Sequence, residues 1–282
     1  MKKTRVLLVS DTHWCHLEWY GVSSDERMER LVAHIKDEYE KEPFSALLFL
    51  GDYSLDHWKW NIKGSYLAQG ISYTKKFVDK YIPKLKELGV PICMTAGNHE
   101  QYGETLWKEI TGFTRTDHTV VGDCLFLVLD TFGADLDPTE HSDGTYAPAD
   151  MKFINEMMAK YPDKKVVLCA HHFEPARETE EFKTLVREND RILCLTGGHT
   201  HLSNVVELGE EWGGKALLYT GNYSYASGKV GAPMNSMWGF RDILLTDGEL
   251  TSRYITPTNM IVWEEQTVNH LYGYQDEYKR EF

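Results

Sequence analysis

The sequence has no apolar run long enough to cross a membrane. Apolar stretches such as residues 46–50 and 166–170 are far shorter than the about 20 residues that a transmembrane helix needs. The first five residues are polar or basic apart from Met1, and they lead directly into a short strand pattern. Because no apolar segment of signal-peptide length follows them, we expect a cytoplasmic protein without membrane association.

Cysteine is scarce, and its spacing excludes two common uses. There are five cysteines, an odd number, and no pair has the CxxC spacing. The sequence therefore carries no thiolate set of the kind that builds a zinc finger, and a disulfide framework is not expected. Four of them (Cys93, Cys124, Cys169 and Cys194) lie in apolar runs, where a reduced thiol packs as a small hydrophobe. Cys15 lies near the candidate site described below, and we expect it to be a bystander rather than a ligand.

Positive charge is also in short supply. The 30 basic residues are outnumbered by 43 acidic ones, which gives a formal net charge of −13. Such a chain repels phosphate backbones and anionic lipid, so long nucleic acids and membrane surfaces are disfavoured as partners. A small anionic substrate remains compatible with this charge if bound metal ions reverse the local field.

Strand and helix patterns alternate over the first two-thirds of the chain. Predicted strands cover 5–10, 46–50, 91–96, 124–129, 166–170 and 192–196, and predicted helices cover 25–39, 66–88, 148–161 and 178–188. The last third reads as an antiparallel meander with strands over 205–208, 216–220, 237–245 and 250–255. We expect one domain over residues 1–256. Residues 257–282 form an extension that packs on this domain or acts as a lid or dimer contact, so a homodimer is one possible assembly.

Metal-ligand residue types follow five of the predicted strands. The segments are Asp11-Thr12-His13, Gly51-Asp52, Gly97-Asn98-His99-Glu100, His171-His172 and Gly198-His199-Thr200-His201. In open α/β sheets, sites form beyond the carboxyl ends of the strands, and glycine permits the sharp turns needed there. Carboxylate, imidazole and amide oxygen together suit ions such as Mn, Fe, Zn or Co.

The ordered set D-x-H, G-D, G-N-H-E, a lone H and G-H-x-H resembles the calcineurin-like metallophosphoesterase superfamily. The resemblance covers residues 6 to about 201. It implies an α/β fold, a four-layer α/β/β/α sandwich of two mixed sheets flanked by helices, and a centre of two divalent or trivalent metal ions. The implied ligands are Asp11, His13 and His201 for the first metal, Asn98, His171 and His199 for the second, and Asp52 as the bridge.

The resemblance also implies a mechanism. A metal-bridging hydroxide would attack phosphorus, and His99 would face the substrate to stabilise the transition state or protonate the leaving oxygen. Either Asp56 or Glu100 orients His99, or both are solvated loop acids. Leu55 stands where purple acid phosphatases carry a tyrosine, so a tyrosinate-bound Fe(III) site is not expected.

Four further side chains are candidate substrate contacts. Trp14 and Trp58 would stack against a base or another flat leaving group, and His16 and His172 would face the substrate. Ordinary packing of long loops explains the aromatic residues equally well.

Taken with the resemblance, these residues predict metal-dependent hydrolysis of a phosphoester, with a small phosphodiester favoured. A phosphomonoesterase, including a protein phosphatase, is the alternative. A non-catalytic metal-binding scaffold is less favoured, because the predicted ligands and His99 are all present.

Overall fold

The computed structural model describes residues 3–19, 21–55, 65–133, 144–224, 238–246, 248–256, 261–263, 266–268 and 277–282. The helices in this part of the chain are α1 (Ser24–Lys41), α2 (Ser65–Lys86), α3 (Glu104–Thr111), α4 (Met151–Lys160) and α5 (Glu180–Glu188). The strands are β1 (Thr4–Val9), β2 (Ala46–Leu50), β3 (Ile92–Thr95), β4 (Asp117–Val121), β5 (Cys124–Leu129), β6 (Lys165–Ala170), β7 (Ile192–Gly197), β8 (Val205–Glu207), β9 (Ala216–Tyr219), β10 (Phe240–Thr246), β11 (Glu249–Ile255), β12 (Ile261–Trp263), β13 (Gln266–Val268) and β14 (Tyr278–Glu281).

Two six-stranded mixed sheets form the centre of the fold. The first has the strand order β14-β11-β10-β1-β2-β3, and the second has the order β4-β5-β6-β7-β9-β8. Strands β1, β2 and β3 pair in parallel, as do β5, β6, β7 and β9. The pairs β1–β10, β10–β11 and β11–β14 in the first sheet and the pairs β4–β5 and β8–β9 in the second are antiparallel. The carboxyl ends of the parallel strands therefore gather at one edge of each sheet, where ligand sites form.

Three hydrophobic clusters separate four layers. One cluster lies between the sheets and contains residues of both, such as Leu48 and Val167. A second joins the outer face of the first sheet to α1, α2 and α3, and the third joins the outer face of the second sheet to α4 and α5. This arrangement confirms the predicted α/β/β/α sandwich.

Local sequence explains why α1 begins where it does. The Ser23 side chain accepts a hydrogen bond from the backbone N–H of Glu26, and Asp25 and Glu26 lie in the first turn, where acidic groups are favoured. The helix then buries Met28, Leu31, Val32 and Ile35 on one face. The predicted helix over 25–39 is confirmed and extended by about one residue at one end and two at the other.

The sequence prediction missed α3 and β4, and it did not anticipate the short strands after residue 257. Three of these strands lie in the predicted extension 257–282. Strand β14 pairs antiparallel with β11 at the edge of the first sheet, and β12 pairs with β13. Residues 257–260, 264–265 and 269–276 lie outside the described residues. A role for this segment as a lid or dimer contact stays a prediction.

No helix within the described ranges has the length and apolar character required to cross a bilayer. All five cysteines are buried free thiols, in agreement with the prediction of reduced core residues. Cys93, Cys124, Cys169 and Cys194 belong to the cluster between the sheets.

Candidate metal centre

The loops that follow β1, β2, β3, β6 and β7 meet at one edge of the sandwich. Within the first sheet, the Asp11 and His13 backbone N–H groups donate to the carbonyls of Gly51 and Asp52, at 3.1 and 3.0 Å. Across the sheets, the backbone N–H of His199 donates to Asp11 Oδ2 at 2.9 Å. The predicted ligand residues are therefore brought together by hydrogen bonds between their own loops.

An unusual backbone conformation marks these loops. Asp11, His13, Asp52, His199 and His201 have φ between 43° and 67°, and Trp238 is the one other non-glycine residue with positive φ in the described ranges. This left-handed region is sparsely populated by non-glycine residues and persists where the surrounding structure holds it, often at functional sites. Five of the seven predicted metal ligands adopt it.

The first group of side chains consists of Asp11, His13 and His201. His13 Nε2 lies 3.0 Å from His201 Nε2. Asp11 Oδ1 lies 3.6 Å from His13 Nε2 and 3.3 Å from His201 Nε2. Ligand atoms about 2.0–2.2 Å from a common ion lie about 3–4 Å from one another, so the three atoms match one ion. Asp11 Oδ1 is buried with no hydrogen-bond partner among the residues that the structure describes, which is the state expected of an oxygen reserved for a cation.

The second group consists of Asp52, Asn98, His171 and His199. Asn98 Oδ1 lies 2.9 Å from both His171 Nε2 and His199 Nδ1, and Asp52 Oδ2 lies 3.2 Å from His171 Nε2. His171 Nδ1 lies 2.7 Å from the carbonyl oxygen of Leu50. In a neutral ring that contact places the proton on Nδ1, which leaves the Nε2 lone pair facing the group.

Asp52 lies between the two groups. Its Oδ2 atom is 3.2 Å from His171 of the second group and 3.7 Å from His13 of the first. The other carboxylate oxygen accepts the backbone N–H of His99 at 3.1 Å, which fixes the orientation of the carboxylate. One carboxylate oxygen within reach of both groups is the arrangement that a pair of cations requires.

The comparisons with known proteins agree with this geometry. Residues 4–203 match the family model described as calcineurin-like phosphoesterase. The chain belongs to the calcineurin-like phosphoesterase family. A member of this family is a metal-dependent phosphoester hydrolase, and the family together with the His/Asp groups supports a dinuclear divalent metal centre.

Solved structures share the fold of this calcineurin-like phosphoesterase. A dimetal phosphatase from Danio rerio has a TM-score of 0.62 at 11% identity, covering 89% of this chain and 95% of that one. A purple acid phosphatase from yellow lupin (Lupinus luteus) seeds has a TM-score of 0.55 at 15% identity, covering 99% of this chain and 54% of that one. GAP50, the anchor in the inner membrane complex of Plasmodium, has a TM-score of 0.50 at 13% identity, covering 99% and 88%. None of the curated proteins compared with the chain matches it by sequence.

The two buried carboxylates of the phosphoesterase site are held in the ionised form that attracts cations. Burial favours the neutral form of Asp11, but the neighbouring His13, His201 and His171 rings outweigh it and hold the pKa of Asp11 well below its usual value. Burial likewise opposes ionisation of Asp52, yet His171 and His99 lower its pKa. Burial works against protonation of His171, but Asp52 raises the pKa of this ring to about 9. Cations entering the site would replace such protons, so metal binding releases protons.

Two neighbouring imidazoles remain neutral. Burial, followed by repulsion from His171, lowers the pKa of His199 to about 4. Burial and then His199 lower the pKa of His172 to about 3. A neutral ring is the form that binds a metal, so His199 is available without first losing a proton.

Glu100 contacts the second loop rather than solvent. Its carboxylate accepts backbone N–H groups of Gly97 and Asp52 at 2.9 Å through Oε2, and of Tyr53 at 2.9 Å and Ser54 at 3.3 Å through Oε1. Burial and the nearby Asp52 raise the pKa of Glu100 to about 7. Glu100 is therefore not a solvated loop acid, and it ties the Gly-Asn-His-Glu loop to the loop that carries Asp52. Asp56, the other residue considered for orienting His99, lies outside the described residues.

The remaining predicted site residues are placed as follows. His99 is buried, with Nε2 3.8 Å from Asp52 Oδ2 and its ring edge-on to His13 at 4.9 Å. The ring of His172 lies 4.6 Å from that of His199, and His16 is exposed. Trp14 is 4% exposed and packs against Tyr73 and Tyr81 in the core, while Trp58 lies outside the described residues. Substrate contact by His16, His172, Trp14 or Trp58 stays a prediction.

Two buried arginines that support these loops are not apparent from the sequence. Arg27 donates to the carbonyl of His13, and Arg115 donates to the carbonyl of Glu100 at 2.9 Å. The Asn222 side-chain amide likewise donates to the carbonyl of His201, at 3.1 Å. Arg27 left one signal, because it lies four residues before Leu31 and so falls on the apolar face of α1. Nothing in the local sequence marks Arg115.

Proposed function

We propose that this phosphoesterase hydrolyses a small phosphodiester at a centre of two metal ions drawn from Mn, Fe, Zn and Co. The observation that carries the proposal is the position of Asp52 between two groups of ligand atoms, 3.7 Å from His13 and 3.2 Å from His171. Two bound cations would supply a water nucleophile at neutral pH and neutralise charge on the phosphoryl oxygens.

The proposed ligand roles follow the two groups. Asp11, His13 and His201 hold the first ion, Asn98, His171 and His199 hold the second, and Asp52 is shared. Their loops are crosslinked by hydrogen bonds and their backbones are constrained, so little reorganisation accompanies binding. Glu100 fixes the position of the shared residue by accepting a hydrogen bond from the backbone N–H of Asp52.

His99 is proposed to act on the substrate. Its ring lies beside both His13 and Asp52. It directly follows the proposed ligand Asn98, and its own backbone N–H donates to Asp52 Oδ1. From this position the imidazole can donate a proton to the leaving oxygen.

Charge favours a diester over a monoester. A phosphodiester carries a single negative charge, whereas a phosphomonoester at neutral pH is mostly doubly charged. At distances beyond the field of the two cations, an enzyme with a net charge of −13 repels the doubly charged monoester more strongly and slows its approach. A phosphomonoesterase, including a protein phosphatase, is the alternative.

The proposal is tested with Mn(II)-loaded protein on bis(p-nitrophenyl) phosphate and p-nitrophenyl phosphate. We expect higher kcat/KM on the diester, and the reverse order would favour the monoesterase alternative. Turnover of neither substrate by protein that holds two Mn(II) ions would contradict the enzyme assignment of this site and favour a scaffold.

The role of His99 is tested with His99→Ala. General acid catalysis is worth about 10²–10⁴-fold, so kcat on a dialkyl phosphodiester should fall by that factor while two Mn(II) ions remain bound. The loss should be larger for an alkyl than for an aryl leaving group, because p-nitrophenolate departs without a proton. His118→Ala is the matched control, since His118 is half-buried on β4 and contacts Tyr161, 3.1 Å away. An equal loss with both leaving groups would exclude protonation by His99.

A further inference from the structure

A fully buried arginine lies beneath the loop that carries Asp11 and His13. Arg27 belongs to α1, and its side chain reaches back toward the end of β1. Nη2 donates to the carbonyl of His13 at 2.9 Å and to Ser24 Oγ at 3.0 Å. Nη1 donates to the carbonyl of Thr12 and, at 2.8 Å, to that of Tyr223.

Together with Tyr223, this arginine binds three consecutive carbonyl groups. The backbone N–H of Tyr223 donates to the carbonyl of Asp11 at 3.2 Å, and Arg27 takes the carbonyls of Thr12 and His13. The same stretch contains two residues with left-handed φ, Asp11 at 54° and His13 at 43°. Such a conformation persists only where its surroundings hold it, and these hydrogen bonds supply that support.

The chemistry of the guanidinium suits this task. Its planar fork binds several carbonyls at fixed angles at once, which the single ammonium of lysine cannot do. The Trp19 ring covers the guanidinium at 4.6 Å, which adds a cation–π contact and limits access of water. Hydrogen bonds from a charged donor such as this guanidinium are strong in a buried site, where water does not compete.

We infer that Arg27 is a positioning residue that sets the affinity of the first metal ion. The inference rests on the proposed ligand set. Near this loop Arg27 donates to the backbone carbonyls of Thr12 and His13 and to Ser24 Oγ, so it acts through the positions of Asp11 and His13. The second ion depends less on it, because Asn98, His171 and His199 come from other loops.

The test is a Mn(II) titration of metal-free protein, followed by electron paramagnetic resonance, with Arg27→Lys against wild type. Wild type should bind two ions as a spin-coupled pair. In Arg27→Lys one binding step should weaken about 10–100-fold, the range found when the partner of a metal ligand is lost. The single remaining ion should give the spectrum of His201→Ala, which keeps the second site, rather than that of Asn98→Ala.

Two buried arginines serve as controls. Arg5 lies at the other end of β1 and binds Asp242 at 2.8 Å and Glu38 at 3.1 Å, so Arg5→Lys should lower thermal stability and leave both binding steps unchanged. Arg115 donates to the carbonyls of Glu100 and Tyr102 at 2.9 Å. Because Glu100 lies in the same loop as Asn98, Arg115→Lys should weaken binding of the second ion instead of the first.

The outcomes separate cleanly. Unchanged affinity in Arg27→Lys, equal weakening of both steps, or a residual spectrum like that of Asn98→Ala would overturn the inference. If Arg27→Lys does not fold, Trp19→Leu decides by the same criteria with an effect of about threefold, because it uncovers the guanidinium without removing it. A wild-type protein that binds fewer than two Mn(II) ions would instead refute the proposed ligand set.

Discussion

Two adjacent glycines before His199 should respond very differently to alanine. A Cβ added at Gly198 would lie 2.5 Å from Asp11 Oδ2 and 2.6 Å from Ser10 Cβ. A Cβ added at Gly197 would meet the carbonyl of His171 at 3.4 Å, an ordinary contact. Gly198→Ala therefore tests whether the first metal group depends on close approach of two loops, and Gly197→Ala is its matched control.

The size of the effect follows from these contacts. Normal carbon contacts are about 3.5–4.0 Å, so the two loops must separate by about 1 Å. Ser10 cannot rotate out of the way, because its Cβ is fixed to the backbone and its hydroxyl lies 2.5 Å from both Asp11 Oδ2 and Thr220 Oγ1. Overpacking of this kind costs about 1–3 kcal/mol, or a decrease in Tm of roughly 3–10 °C. A ligand displaced by about 1 Å should lower kcat/KM about 100-fold.

The assay combines a thermal melt, Mn(II) binding and diester hydrolysis on Gly198→Ala, Gly197→Ala and wild type. We expect Gly198→Ala to lose stability, first-ion affinity and kcat/KM together, and Gly197→Ala to remain near wild type. If the two variants behave alike, or if Gly198→Ala keeps full metal affinity, the close approach of these loops does not shape the site.

Three further predictions concern the metals and the core. Chelation of both ions should lower Tm by roughly 15–20 °C, since each ion at about 1,000 times its Kd adds about 4 kcal/mol and the two together about 8 kcal/mol; an unchanged melt would argue against tight binding. Asp52→Asn should keep the fold, as seen by circular dichroism, but weaken both ions by at least about 100-fold in the same titration. Finally, burial raises the pKa of four thiols (Cys93, Cys124, Cys169 and Cys194), so their contribution to stability is complete below about pH 8.5 and is lost as the pH rises toward the folded values. Urea unfolding should show a loss of about 5 kcal/mol per pH unit above pH 9, and a flat profile to pH 10 would contradict it.

Much of the fold could be predicted because strand and helix signals here are local and agree with one another. The strands that carry ligands are short apolar runs that end in glycine or polar residues, as in Ala46–Leu50 before Gly51. By contrast, α3 has eight residues and a Gly103 N-cap without a side-chain hydrogen bond. Strand β4 begins with Asp117 and His118 and mixes polar with apolar positions, so its pattern is weak.

The candidate site also has one part that the sequence reveals and one part that it does not. Ligand types are visible in sequence because each loop carries them next to a strand end. The residues that hold those loops are not visible, since Arg27 and Arg115 act on backbone carbonyls that any residue could provide. Trp14 is visible in the sequence, but its role is not, because an aromatic residue beside a ligand is compatible either with a substrate pocket or with core packing. In the structure it is nearly fully buried.

The hydrogen bond from the His199 backbone to Asp11 joins residues that are far apart in the chain. Each proposed ion likewise takes ligands from both sheets, the first from Asp11, His13 and His201 and the second from Asp52, Asn98, His171 and His199. Neither half of the chain alone can then assemble a complete coordination sphere. During synthesis, neither coordination sphere can be complete before residues 199 and 201 have left the ribosome and their loop has met the loops of the first sheet.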